Sequence, residues 1–216
     1  MRASHRKSLV TGTLIAVVAI IGIGLVITQQ QRLPVPERVA IPGLLWPPPE
    51  KQLADFTLTD QNGRPFGGTN LAGKWSLLFF GYSHCPDVCP QTLAIMSQLS
   101  PHLSASTSED LQLVFVSVDQ QRDTPEQLTA YLDYFPADIV GLSGDATELA
   151  KLTRQLGIAH SSQTPDGEGK YLVEHSSAIL LVDPQMRLIG IFSAPHRAPD
   201  IAKRFQLIRA FVEEQP

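Results

Sequence analysis

A continuous apolar run, SLLFFGY at residues 76–82, constrains the fold of this 216-residue chain more than any other stretch. Seven consecutive residues without a charge are typical of a strand that is buried on both faces. A second run, LQLVFVSVD at residues 111–119, is almost as apolar. Between the runs, steps of three and four predict a helix with the apolar face Leu93, Met96, Leu99 and Leu103. Buried strands that alternate with helices predict an α/β fold.

The other secondary-structure signals continue this alternation. Asn62-Gly63 is a turn sequence that follows an alternating segment, which predicts a hairpin. Thr124 and Asp145 have side chains that cap helix N-termini, and a helical pattern follows each of them. The predicted elements are hairpins over 55–66 and 178–192, and helices over 124–135, 145–157 and from about residue 199. Together they predict a mixed sheet flanked by helices.

The N-terminal part is predicted to cross a membrane. Residues 9–27 contain no charge, and a helix of that length spans about 28 Å, close to the hydrocarbon core of a bilayer. Arg2, Arg6 and Lys7 precede the run and TQQQ follows it, so residues 1–8 are expected to stay in the cytoplasm. A cleaved signal peptide is the alternative, but ITQQQRLP lacks the small residues of a cleavage site. An uncleaved transmembrane anchor is therefore predicted.

A proline-rich linker and an acidic domain are predicted to follow the anchor. Residues 28–52 contain six prolines and should form an extended spacer, and residues 53–216 should form the domain. The net charge is +3 for residues 1–50 (five Lys/Arg, two Glu) and −7 for the remainder (12 basic, 19 acidic). An acidic domain without a basic aromatic patch does not favour nucleic acid as a partner. This layout predicts a single-pass protein of a bacterial inner membrane, with its soluble domain in the periplasm.

The stretch GYSHCPDVCP at residues 81–90 contains the only two cysteines, Cys85 and Cys89. Their spacing is one residue wider than the C-x-x-C of dithiol redox proteins. Four residues apart on a helix, two Cβ atoms lie about 5–6 Å apart, whereas a disulfide needs about 3.8 Å. A structural disulfide is therefore disfavoured, and a redox pair and a metal site both remain open. Because Cys85 should enter the start of a helix, the helix dipole is expected to lower the pKa of a thiol there.

His175 is the histidine whose position suits a metal site. It lies directly before a predicted strand, and a Cys2His set with Cys85 and Cys89 is geometrically reasonable, with a purely structural histidine as the alternative. Two thiolates and an imidazole suit Cu(I), or Cu(II) with one added donor, whereas structural zinc usually takes four such ligands. The other histidines are interpreted as cytoplasmic (His5), locally hydrogen-bonded (His84), helix-terminal (His102) or solvated (His160 and His196).

Three ordered segments resemble signatures of the Sco/SenC family. They are GYSHCPDVCPQTL at 81–93, VSVDQQRDTPEQL at 116–128 and YLVEHSSAILLVDP at 171–184. The resemblance covers roughly residues 53–212. It implies a thioredoxin-like fold, a membrane anchor, and a role in handling copper for the binuclear copper centre of cytochrome c oxidase.

The resemblance also implies which residues bind the metal. Cys85 and Cys89 match the family's thiolate ligands, and His175 matches its imidazole ligand. Glu174 stands where an aspartate is common, which is a conservative departure. Met96 lies on the apolar helix stripe and is interpreted as core rather than as a copper donor.

Two acidic residues match the D-x-x-x-D-T-P segment of the family. Asp123, with Thr124, is interpreted as organising the start of the helix, and Asp119 as helping to position the metal site. Purely structural roles are the alternative for both acids.

A copper metallochaperone, rather than an enzyme with turnover, is the function expected first. It would pass copper to the copper-binding subunit of cytochrome c oxidase and could receive it from an upstream donor. A thiol–disulfide reductase that keeps the oxidase's copper-ligating cysteines reduced is the alternative, and it would need a thiol reductant of its own. A peroxide-reducing or redox-signalling thioredoxin relative is a weaker third hypothesis.

Overall fold

The structure, a computed structural model, describes residues 41–49, 52–53, 56–162 and 171–215. Within them the chain forms nine strands, six α-helices and a 3₁₀ turn. In chain order these are β1 (Thr57–Asp60), β2 (Pro65–Gly67), α1 (Gly68–Leu71), β3 (Trp75–Gly81), α2 (Val88–Ser97), the 3₁₀ turn (Ser100–His102), α3 (Ala105–Glu109), β4 (Leu111–Ser117), α4 (Pro125–Leu132), β5 (Ile139–Ser143), α5 (Ala146–Leu156), β6 (His160–Ser162), β7 (Val173–His175), β8 (Ile179–Val182), β9 (Leu188–Phe192) and α6 (Ala198–Glu213).

Seven strands form one mixed sheet in the order β2-β1-β5-β4-β3-β8-β9. The parallel strands β5, β4 and β3 lie at its centre, and antiparallel pairs extend it on both sides. Every residue of β3 is buried, as its uninterrupted apolar run predicts. The strands β6 and β7 form a separate antiparallel hairpin. The predicted mixed sheet is confirmed, whereas the β6–β7 hairpin was not anticipated.

Helix boundaries follow the capping residues of the sequence. The Thr124 hydroxyl accepts a hydrogen bond from the Gln127 backbone N–H at 3.2 Å, and α4 begins at the next residue. Asp145 accepts bonds from two backbone N–H groups in the first turn of α5. That helix ends at Gly157, whose φ of 67° is left-handed and favours glycine. Both predicted helix starts are confirmed, and α4 ends at Leu132, slightly earlier than predicted.

The C-terminal helix α6 packs on the core through its predicted apolar stripe. The buried stripe consists of Ile201, Phe205, Ile208 and Val212. The ring of Phe205 meets Trp75 of β3 edge-on, with 5.6 Å between centroids. Met96 of α2 is also fully buried, so its assignment to the core is confirmed.

The helix after the cysteines is shorter than predicted. It ends at Ser97, and Leu99 and Leu103 lie beyond it. Pro101 explains this end, because a proline has no backbone N–H to donate to the carbonyl four residues earlier, that of Ser97. The chain turns instead through the 3₁₀ segment, where Leu99 is still buried.

The described residues of the predicted linker contact the sheet. The Leu45 backbone N–H donates to the Ile189 carbonyl of β9 at 2.8 Å. The ring of Trp46 meets that of Phe211 on α6, with 5.0 Å between centroids. The domain boundary at residue 53 stays a prediction.

The predicted anchor at residues 9–27 lies outside the described residues. In the described part of the chain, every helix is too short or too polar to cross a membrane.

Candidate metal centre

Three separate segments bring the predicted ligands together. Cys85 lies in the loop after β3, Cys89 in the first turn of α2, and His175 at the end of β7. One donor atom from each lies within 4.8 Å of the other two. The Cys89 Sγ and His175 Nε2 atoms are 3.4 Å apart. Ligands of one ion, each about 2.0–2.3 Å from it, have spacings of this size. The three residues therefore fit a single metal ion.

The two thiols are free and differ in exposure. Cys85 is half-buried and Cys89 is fully buried, and no disulfide joins them. The Cys85 backbone N–H donates to the Tyr82 carbonyl at 3.2 Å, which turns the chain out of β3. One thiol therefore faces the outside of the site and the other forms its inner wall.

Gly81, the last residue of β3, makes room for the Cys89 sulfur. A Cβ atom at Gly81 would lie 2.6 Å from Cys89 Sγ and 2.9 Å from Cε2 of Phe115. Both separations are far below van der Waals contact, so a side chain at this position would displace the thiol. Gly81 was not predicted as a site residue, although a glycine that ends a buried strand signals close packing.

Burial is the largest influence on the pKa of the Cys89 thiol. Removal from water raises the pKa of this thiol well above its ordinary value, and the neighbouring Cys85 raises it further. In the metal-free protein this thiol keeps its proton at neutral pH, and a metal must displace that proton to bind.

The His175 ring is held in an orientation that suits ligation. Its Nδ1 atom lies 2.9 Å from the Ser176 carbonyl oxygen, and since a carbonyl only accepts, Nδ1 carries the proton. Nε2 is then the unprotonated nitrogen, and it faces Cys89. The rings of Phe79 and Tyr82 meet the imidazole edge-on, at 6.1 and 5.8 Å between centroids. A hydrogen bond from the second nitrogen is the usual way in which proteins orient a metal-binding histidine.

Asp123 fixes the loop that carries Cys85. It accepts hydrogen bonds from the Ser83 backbone N–H at 3.0 Å and from the Ser83 hydroxyl at 2.5 Å. It also accepts one from the Ser117 hydroxyl at the end of β4, at 2.6 Å. Thr124 alone caps α4, so the interpretation of Asp123 as a helix-start residue is wrong. The buried carboxylate instead joins the cysteine loop to the neighbouring strand.

Asp119 fixes a different part of the site from Asp123, namely the segment that leads to His175. It accepts a hydrogen bond from the Tyr171 hydroxyl at 2.6 Å and forms an ion pair with Arg122. The Arg122 guanidinium lies 3.7 Å from the centroid of the Tyr171 ring. This clamp of Asp119, Arg122 and Tyr171 fixes the entry to β7. No local sequence signal marks Arg122 and Tyr171, because the bond from Tyr171 to Asp119 spans 52 positions of the chain.

Two of the other histidines differ from expectation. His84 lies 2.9 Å from the Ser83 hydroxyl, as its interpretation as a locally hydrogen-bonded residue predicts. The Nε2 atom of His196 lies 2.7 Å from the Ser177 carbonyl oxygen, and because a carbonyl only accepts, Nε2 is the donor. His160 is half-buried in β6 and pairs directly with His175. Burial, and then the charge of His175, lower the pKa of His160. The solvated positions expected for His160 and His196 are therefore wrong.

The chain matches one protein family over most of its length. The SCO1/SenC family model matches residues 47–209, a range that includes all three clustered residues. The chain belongs to the SCO1/SenC family. The fold agrees with this membership, since solved Sco structures superpose on the chain and support the predicted thioredoxin-like sheet flanked by helices.

Individual SCO1/SenC relatives give the extent of the similarity. A protein of Stutzerimonas stutzeri, named as a candidate copper-binding protein, is 43% identical over 68% of this chain and 72% of its own length. The structure of Bradyrhizobium japonicum ScoI with copper bound is 34% identical, with a TM-score of 0.66 over 73% of this chain and 99% of that one.

A more distant relative agrees in fold only. BsSco is described as a member of the Sco family of cytochrome c oxidase assembly proteins, with a disulfide switch. It is 21% identical, with a TM-score of 0.61 over 80% of this chain and 99% of that one. The chain spans 42% to 56% of the length of its Arabidopsis, yeast and bovine mitochondrial relatives.

Proposed function

We propose that this protein is a copper metallochaperone that carries copper on Cys85, Cys89 and His175. The observation that carries the proposal is the convergence of two thiols and one imidazole nitrogen within 4.8 Å of one another. The family supports copper as the metal, because Sco proteins have been solved with copper bound. The proposal includes that the protein carries copper and does not turn over a substrate as an enzyme.

The donor set favours Cu(I) as cargo. Thiolates are soft ligands, and three donors with a thiolate majority suit monovalent copper. A structural zinc site usually has four protein ligands of this kind. Within the described residues, the only group of three or more histidine, cysteine or acidic side chains close enough to hold a metal is this one.

The unequal burial of the thiols supports transfer by ligand exchange from one side. Cys85 is the half-exposed ligand, so a thiolate or imidazole of an acceptor reaches the ion beside it. Cys89 lies in the core and is released last. The copper-binding subunit of cytochrome c oxidase is the proposed acceptor, in keeping with the family's association with oxidase assembly.

The proposed location is a bacterial inner membrane. The uncharged run at residues 9–27, with basic residues before it, supports an anchor that leaves the domain in the periplasm. Protease added to intact spheroplasts should digest the domain and leave the membrane-bound N-terminus. A domain that stays protected until the membrane is permeabilised would refute this orientation.

Copper delivery is tested by transfer to the isolated copper-binding domain of an oxidase. The copper-loaded full chain in detergent is mixed with the metal-free acceptor, and the two are separated and assayed for copper. Transfer is expected from the wild-type chain, and His175→Ala should carry and transfer less copper. If copper stays on the wild-type chain under conditions in which the acceptor binds free copper, delivery is refuted.

A thiol–disulfide reductase is the second candidate, favoured by the free, unequally exposed thiol pair. Cys85 would attack a partner disulfide, and Cys89 would then form a disulfide with Cys85, so that the partner gains two electrons and two protons. His175 is dispensable for this reaction. Oxidase maturation that survives His175→Ala but not Cys85→Ser would favour the reductase over the carrier.

A further inference from the structure

We propose that His160 supplies a second imidazole, and thus a fourth donor, when the site holds Cu(II). This inference rests on the proposed function, because it presupposes that Cys85, Cys89 and His175 bind copper. His160 lies outside the group of Cys85, Cys89 and His175, whose donor atoms already lie close together.

The register of the β6–β7 hairpin places His160 beside His175. The two residues are direct Cα partners in the antiparallel pair. Side chains of directly opposite residues project to the same side of the ribbon, with Cβ atoms about 4.5–5.5 Å apart. Two imidazoles at this separation can converge on one ion, because each binds it about 2.0 Å beyond a ring nitrogen.

The burial pattern shows which side of the ribbon this is. Ser161 and Glu174, the next pair in the register, are both exposed. Val173 is buried, and His160 and His175 are half-buried. Alternation along a strand therefore puts both histidines on the inward side, where His175 meets Cys89.

The ring of His160 is also available for ligation. His175 and His196 both hold backbone carbonyls through a ring nitrogen, at 2.9 and 2.7 Å. Among the described residues, none forms a hydrogen bond or an ion pair with the His160 ring. The ring nitrogens of His160 are not among the buried polar atoms without a partner, so solvent reaches them and no protein contact has to be broken for the ring to bind a metal.

The chemistry of copper explains why only one oxidation state would recruit this ring. Cu(I) is satisfied by three soft donors, whereas Cu(II) prefers a four-donor, tetragonal arrangement rich in nitrogen. The half-exposed Cys85, buried Cys89 and His175 supply three of these donors. A small shift of the His160 ring towards the site would supply the fourth.

The test compares Cu(II) binding by His160→Ala, His160→Phe and the wild-type chain. Copper(II) sulfate is added anaerobically to the reduced, metal-free full chain in detergent, and electron paramagnetic resonance counts the coupled nitrogens. The wild type should show two coupled nitrogens and each variant one. The Cu(II) affinity of each variant should be at least about tenfold weaker than that of the wild type, which is the lower end of the loss seen when a metal site is impaired. Cu(I) affinity should stay unchanged.

Two controls keep the outcomes distinct. His160→Phe preserves ring packing in the hairpin, and His102→Ala removes an exposed histidine from the 3₁₀ turn. If His160→Phe keeps two coupled nitrogens and wild-type Cu(II) affinity, the inference is overturned while the proposed function stands. If the wild-type chain binds copper no better than His175→Ala does, the proposed function fails with it.

Discussion

Cys89 is the residue at which the fold and the metal chemistry meet most closely. It is fully buried against Gly81, and burial raises the pKa of its thiol. A buried neutral thiol packs like any small apolar side chain, whereas a buried thiolate needs a compensating charge. A bound copper ion supplies that charge. The site is therefore stable without metal, and its inner ligand ionises only when metal arrives.

Copper affinity is predicted to rise with pH between about pH 6 and 8. Because the pKa of Cys89 is raised, its thiol is protonated across this range in the metal-free protein, and binding releases that proton. One released proton corresponds to an affinity increase of about tenfold per pH unit. Competition with a chelator of known affinity measures the slope. Cys89→Ser should lower the slope by one proton, and an unchanged slope in that variant would contradict the assignment.

Gly81→Ala is predicted to damage the site directly. The new Cβ would lie 2.6 Å from the Cys89 sulfur, so the thiol or β3 must move. The free energy of unfolding should fall by about 1–3 kcal/mol, as for other overpacked positions. Copper affinity should also fall, as measured by titration.

A turn glycine provides the matched control for that variant. Gly63 has a φ of 76°, and a Cβ atom added there would have no neighbouring atom within 4 Å. Gly63→Ala should therefore cost about 1–2 kcal/mol through backbone strain alone. Its copper affinity should match the wild type. Equal affinities for Gly81→Ala and Gly63→Ala would show that Gly81 does not position the thiol.

At the scale of single residues, the sequence predicts the ligands better than their supports. Cys85, Cys89 and His175 have donor atoms of their own, and spacing and residue type draw attention to them. Gly81 and Arg122 act only through contacts made after folding. Their roles depend on which atoms lie nearby, and a single sequence does not contain that information.

Among the elements, the β6–β7 hairpin depends most on tertiary contacts. Each of its strands has three residues, and it forms a sheet separate from the main one. The Asp119–Arg122–Tyr171 clamp holds the entry to β7, and Asp123 holds the cysteine loop. Both acids follow β4, so one loop positions the ligands of two different elements.

Tyr171→Phe is predicted to loosen the strand that carries His175. The change removes the hydroxyl that donates to Asp119 and leaves the ring beside Arg122. Loss of one hydrogen bond to a carboxylate should cost about 1.5–3 kcal/mol. Amide hydrogen exchange of Val173–His175 should become faster, and copper affinity should fall modestly.

Tyr134→Phe is the control, because Tyr134 is 84% exposed. It should leave exchange in β7 and copper affinity at wild-type values. If the β7 amides exchange as slowly in Tyr171→Phe as they do in the Tyr134→Phe control, the clamp does not fix the strand.

Element prediction succeeds where local signals are strong. The caps at Thr124 and Asp145 fix two helix starts, and the apolar runs fix β3 and β4. The β6–β7 hairpin has neither a long apolar run nor a helical cap, so it was missed. Its two strands are stabilised by pairing and by contacts with the core, which local propensity does not contain.

For the whole molecule, the metal would act as a cross-link between distant segments. Cys89 and His175 are 86 positions apart and meet because β3, which leads to the cysteine segment, pairs with β8, the strand that follows His175. A ligand that binds only the folded state stabilises it by about 2.7 kcal/mol at a free concentration of 100 times its dissociation constant. Copper should therefore raise the melting temperature of the wild type, as measured by calorimetry.

The same experiment on Cys85→Ser should give a much smaller shift. Cys85 is half-buried, so its replacement leaves the core intact while removing one donor. An equal copper-induced shift in both proteins would place the bound copper elsewhere in the chain.

The proposed copper site is tested most directly by a Cu(I) titration of the reduced full chain, under anaerobic conditions and against a competing chelator. The wild type and the His102→Ala control should bind one equivalent with the same affinity. Cys85→Ser, Cys89→Ser and His175→Ala should each bind far more weakly, because each removes one of the three converging donors. If His175→Ala binds Cu(I) as tightly as the wild type, the proposed site is wrong.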